Sequence, residues 1–143
     1  MEPVQNKIDG EMAKALFDEF CQNWRIKNDT SGFKAEDRVA FDQAREHMVD
    51  AYAAGRLEND KDKKSVIYRF EFNEDLGGTN EIKLRRPRGA TYMETDSGKK
   101  DANMTKMFYM LGEMSGKPVA FFSKVDGVDI KVLTAITTLF FGS

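Results

Sequence analysis

Few residues in this sequence are of the types that carry out chemistry. It contains one histidine, His47, and one cysteine, Cys21. A zinc cage draws on several such ligands, and a thiol nucleophile needs a histidine beside it, so composition argues against both. His47 follows Glu46 within a helical pattern, but no Ser, Cys or second acid stands at helical spacing to complete a triad. Cys21 adjoins an apolar stripe and reads as a small core residue rather than a reactive thiol. Residues 112–117, Gly-Glu-Met-Ser-Gly-Lys, have the outline of a phosphate-binding loop. That motif needs four residues between its glycines and Ser or Thr after the lysine, whereas here three intervene and Pro118 follows. No catalytic residue, metal ligand or cofactor site is assigned, no cofactor is implied, and the chain is not expected to be an enzyme.

Two clusters point instead to binding. Lys83, Arg85, Arg86 and Arg88 form the one dense basic patch. Such a patch contacts phosphate or an acidic protein surface, or it serves as a solvated edge that deters strand-to-strand aggregation. No aromatic residue is interleaved for base stacking, so nucleic acid is an unlikely partner. The second cluster is apolar. Five of the eight methionines (Met93, Met104, Met107, Met110 and Met114) fall within 22 residues, and Phe121, Phe122, Phe140 and Phe141 crowd the C-terminal part. Methionine fills cores, and it also serves surfaces that adapt to a partner. Met110 falls beside the main stripe of its helix, and a surplus of exposed apolar side chains would mark a partner site.

These residues must be positioned by a chain of 143 residues, 41% hydrophobic and 32% charged, which is one ordinary domain's length. The longest apolar runs, such as residues 118–122, fall far short of the roughly 20 residues that span a bilayer, so no membrane is expected. No charged segment precedes an apolar one at the N-terminus, and the single cysteine fits a reducing cytoplasm. The formal net charge is -2, acidic up to Asp60 and mildly basic after it.

Residues 10–25 place Met12, Ala13, Leu16, Phe17, Phe20 and Trp24 at helical spacing, with Asp9 as the N-cap. A second helix is expected over 35–54, with Val39, Ala40, Phe41, Ala44, Met48, Ala51 and Tyr52 inward and Gly55 ending it. The two should pack as a hairpin, and the polar run 58–64 should separate a helical region, 1–60, from a second region, 61–143. Val66, Tyr68, Phe70 and Phe72 then alternate with polar or outward residues, as do Ile82 and Leu84, with the flexible Leu76-Gly77-Gly78 between and Pro87 at the end. A two-stranded hairpin is marginal alone and must lie on helices or pair with another chain, which leaves a homo-oligomer open. Residues 88–100 read as an exposed loop. A helix follows to about Ser115, capped by Asp101, with Met104, Met107, Phe108, Leu111 and Met114 on one side. The final helix begins at the capping-like run 126–129 and carries Ile130, Leu133, Ile136, Thr137 and Phe140. The fold class is therefore α+β: an N-terminal helical hairpin, a central antiparallel β-hairpin and C-terminal helices.

The ordered set over residues 65–143 resembles the phage tail assembly chaperone family of Mu/P2-like contractile-tailed phages. The resemblance rests on Leu84-Arg85-Arg86-Pro87 after a strand, a polar loop, a helix ending Leu111-Gly112-Glu113-Met114-Ser115-Gly116, the aspartate-bearing run 125–129, and a last helix ending Leu139-Phe140-Phe141. Residues 51–57 also look like the helix end that leads into the first strand in that family, while residues 1–32 extend beyond the common pattern. The resemblance implies a non-catalytic protein of the host cytoplasm. It would bind the tape measure protein, with the tail tube protein as a further partner, and stay out of the finished virion. The partner-binding groove is expected at Met107, Phe108, Leu111, Phe121, Phe122, Phe140 and Phe141. The alternatives are a structural phage tail component or a small nucleic-acid-binding regulator using Lys83, Arg85, Arg86 and Arg88.

Overall fold

The computed structural model describes residues 8–91, 93 and 103–141, with Asn103 and Phe141 as backbone only. In chain order they form α1 (Gly10–Trp24), α2 (Ala35–Ala53), β1 (Leu57–Asn59), β2 (Ser65–Arg69), β3 (Glu81–Arg85), α3 (Asn103–Ser115), α4 (Val119–Phe122) and α5 (Gly127–Phe141). The architecture is α+β, a three-stranded antiparallel sheet in the order β1-β2-β3 between N- and C-terminal helices.

Asp9 caps α1 as its position requires, its Oδ1 accepting from the Met12 N–H at 2.8 Å. Ala13, Phe17, Phe20, Cys21 and Trp24 then line the buried face. Met12 is half exposed and not inward. At about 100° per residue it stands a quarter-turn from Ala13, outside a stripe that the aromatics centre elsewhere. Val39 and Ala40 of α2 are likewise exposed rather than inward, because the buried stripe runs through Phe41, Ala44, Met48, Ala51 and Tyr52. Gly55 adopts the left-handed conformation expected just beyond this helix (φ 77°). Helix α2 packs on α1 and, most extensively, on α5.

The expected hairpin is present as β2 and β3, with Val66 opposite Leu84 and Tyr68 opposite Ile82. It gains a third strand, because β1 pairs Leu57 with Tyr68 and Asn59 with Val66. One sheet therefore joins residues on both sides of position 60. Leu57, Val66, Tyr68, Ile82 and Leu84 form the buried face against the helices. The opposite face is charged and cross-linked. Arg69 bridges Glu58 on one neighbour (2.7 Å) and Glu81 on the other (3.4 Å), while Lys83 reaches Asp60 at 2.7 Å.

Strand β2 stops at Arg69 for a specific reason. The N–H groups of Glu71 and Phe72 donate to the carboxylate of Asp129, at 2.8 and 3.1 Å, instead of continuing a ladder. The alternation ends there too, so Phe72, expected inward, is exposed. Tyr68 Oη donates to Asp129 Oδ1 at 2.6 Å, and burial, followed by this hydrogen bond, pushes its phenol well above the ordinary range. Asp129 is fully buried in the first turn of α5, where a negative charge also meets the helix dipole favourably.

Residues 89–91 are helical and Thr91 is fully buried, which corrects the expectation of an exposed loop from residue 88; the expected cap Asp101 lies outside the described residues. Gly112 of α3 is required by close approach, since a Cβ there would stand 2.9 Å from the Lys117 carbonyl oxygen. That contact folds the 116–118 turn back onto α3 and seats α4 beside it.

Replacing Asp129 by Ala strips three donors of their acceptor, two of them backbone N–H groups. Urea denaturation should show a loss of about 3 kcal/mol, against about 1 kcal/mol for Tyr68→Phe. A loss under about 1 kcal/mol for Asp129→Ala contradicts the anchoring role.

Candidate functional site

The basic cluster is brought together, but by intrachain acids. Lys83 lies against Asp60 (2.7 Å) and Asp62 (3.7 Å). Hydrogen bonds and charge from Asp60 hold its ammonium above the ordinary range. Arg86 donates to the Asn23 carbonyl at the end of α1, at 2.9 Å. Arg85 and Arg88 converge from β3 and the chain beyond it on one oxygen of Glu113 in α3, Oε2, at 2.6 and 2.7 Å. Arg85 also donates to the Glu113 carbonyl, and the Thr91 hydroxyl donates to the other carboxylate oxygen, Oε1.

Glu113 is only 13% exposed at its side chain, and three elements meet on it. Desolvation pushes its carboxyl up. Hydrogen bonds from Arg85, Thr91 and Arg88, with the Arg85 charge, outweigh that and draw it from 4.5 to about 2. Sequence reasoning did not select Glu113 for a role. The arginines it pairs with are 28 and 25 positions away, and no local spacing links them.

The groove expected from seven apolar residues is not an open one. Leu111 and Phe122 are wholly buried and belong to the core, so neither can receive a partner. Phe108, Phe121 and Phe140 are half-buried and pack on that core. Phe140 stands edge-on to Trp24, with ring centroids 6.3 Å apart, and Phe121 stands against Phe122 at 5.3 Å and Phe70 at 5.9 Å. Met107 is half-buried, and the side chain of Phe141 lies outside the described residues. Met110, expected beside the stripe, is buried with Met114. The apolar groups left at the surface of α3 are Met104, 48% exposed, and Tyr109.

Burial pushes the Cys21 thiol up to about 12, with Asp18 adding to it, which keeps the thiol protonated. His47 sits half-buried where α2 meets Lys131, Thr134 and Thr138 of α5. Among the described residues, no group of three or more His, Cys, Asp or Glu is placed to share a metal ion, and no helix is long and apolar enough to cross a membrane.

Two concavities flank Glu113. One, of about 470 Å³, lies toward Lys64, Lys83 and Asp62. The other, of about 660 Å³, lies between Arg85, Arg88, Tyr109, Gly112 and Lys117. A third, also about 470 Å³, lies between α1, α2 and β1, where Glu19 and Glu58 face Arg69, and Arg69 is already paired with Glu58. No protein-family model matches the chain, nor does any curated protein or solved structure.

The carboxyl of Glu113 is depressed in the folded state, so its ion pairs contribute stability at pH values above the unfolded value of 4.5. That contribution is lost as pH falls toward about 2. The wild type should lose stability over this window. Glu113→Gln should be about 1–2 kcal/mol less stable at pH 7 and show a flatter acid limb in urea midpoints. An unchanged acid limb contradicts the assignment.

Proposed function

We propose that this protein is a non-catalytic phage tail assembly chaperone that binds the tape measure protein, with the tail tube protein as a further partner, in the host cytoplasm. The observation that carries the reading is the ridge on α3. Met104, Met107 and Phe108 stand at i, i+3 and i+4, share one face, and grade from the exposed Met104 to Phe108 packed against Phe122, with ring centroids 6.2 Å apart. Phe121 of α4 continues the apolar surface. An amphipathic helix from a long helical partner can lay its apolar stripe along such a ridge. Leu111 and Phe122 form the floor that holds the ridge in place and leave the contact set.

The intrachain pairing of the basic cluster works against the nucleic-acid reading. Lys83 and Arg85 face acids of this chain, Arg86 caps a helix, and few of the cluster's charges are left to release counterions from a phosphate backbone.

Co-expression with the tape measure protein of the same gene cluster, followed by pull-down, tests the proposal. The wild type should be recovered in a complex. Met104→Asp, at an exposed position, should keep its melting temperature and bind about tenfold more weakly. No complex with any tail protein of the cluster, or full binding by Met104→Asp, counts against this function.

A further inference from the structure

The 660 Å³ groove between β3, α3 and α4 carries an uncompensated positive charge. Three cations, Arg85, Arg88 and Lys117, border it against a single carboxylate, Glu113. That carboxylate is saturated. Oε2 takes one Nη2 from each arginine, and Oε1 takes the Thr91 hydroxyl. Arg85 also donates to the carbonyls of Arg86 and Glu113, so both of its Nη groups are occupied. Arg88 is less engaged. Its side chain is 61% exposed and makes one hydrogen bond, from Nη2 to Glu113, which leaves Nε and Nη1 without a partner among the described residues. Lys117 also lines the groove, with its Nζ 5.5 Å from the centroid of the Phe121 ring and in no ion pair among the described residues. Tyr109 and Gly112 belong to the same lining.

The surplus is smaller elsewhere: Lys64, Lys83 and Arg85 line the concavity toward Lys64 with two acids, Asp62 and Glu113, and Lys131 is the one charged side chain lining the one beside His47. Lys83 is matched by Asp60 and Asp62, and Arg69 by Glu58 and Glu81. A guanidinium with donors to spare and an ammonium lining one groove match a carboxylate side chain, which both hold by charge-assisted hydrogen bonds. A surplus of two positive charges is too small for the regular spacing of a nucleic-acid backbone. The groove borders α3 along Tyr109, Gly112 and Glu113, on the helix whose N-terminal half carries the Met104 ridge.

We propose that this groove receives an Asp or Glu side chain of the protein partner, so that the bound segment is an amphipathic helix with acidic residues beside its apolar stripe. The inference rests on the protein-binding reading above. Rim charges of this kind act on encounter rate and salt dependence, so binding weakens as salt rises.

The test uses the full chain and the tape measure protein of its own gene cluster, with affinity read by anisotropy at about 50 mM and about 300 mM salt. The variants are Arg88→Glu, Lys117→Glu, their double, and Lys61→Glu on the remote β1–β2 turn as control. Lys117→Glu does not touch the Glu113 network, so it separates lost charge from lost fold, and melting temperatures check both. The double variant should bind about tenfold more weakly at low salt and lose most of the salt dependence, with Lys61→Glu unchanged. Wild-type binding that is indifferent to salt and to both reversals, while Met104→Asp still weakens it, overturns the acidic-partner proposal and leaves the protein-binding reading standing. No wild-type complex at either salt overturns both. Tighter binding to a single-stranded DNA 20-mer than to the protein overturns the choice of a carboxylate partner.

Discussion

One buried carboxylate sets the relation between the sheet and the C-terminal helices. Asp129 accepts the Tyr68 hydroxyl and the N–H groups of Glu71 and Phe72. Taking a carboxylate out of water is costly, and it is tolerated only when its oxygens are filled with well-aligned donors. Here that condition decides where β2 ends, how the chain leaves the sheet, and where α5 begins. Since α5 packs along α2, and Trp24 of α1 meets Phe140 of α5, the N-terminal hairpin is held in register with the sheet through the same anchor.

Glu113 plays the matching part at the other end of the sheet. It gathers Arg85, Arg88 and Thr91 into one strut and so joins β3, the helical turn after it and α3. Together with the Arg69 and Lys83 pairs on the open face of the sheet, it turns part of the molecule's charge to internal bracing. The surface around α3 and α4 offers an apolar ridge at Met104, the exposed side chain of Arg88 and Lys117. The proposed protein-binding role rests on these groups.

The parts of this fold legible in the sequence are those governed by local pattern. The Asp9 cap, the Phe17–Trp24 stripe, the two longer strands and the turn at Gly55 follow from neighbours three or four residues apart, or from alternation. Strand β1 was not legible, because three residues cannot display an alternation and Leu57 becomes a strand residue only through its pairing with Tyr68. The same blindness to distance explains the site. Arg85 and Arg88 read as a free basic patch because the acid that neutralises them comes from α3. Asp129 reads as a helix-start residue because its partners lie 57 to 61 positions away. Leu111 and Phe122 read as candidate contacts because apolar spacing identifies a face without saying what covers it. Met12 and Val39 are the converse case, apolar residues adjacent to a stripe that the packing rotated away from the core.

The central claim, that α3 and α4 are the surface on which another protein chain lies, is tested most directly by hydrogen–deuterium exchange of the complex with the tape measure protein. The account predicts slowed amide exchange from Met104 to Phe122 on binding, with α1 and α2 unchanged. Protection confined to α1 and α2, with exchange along α3 and α4 the same as in the free protein, would contradict it.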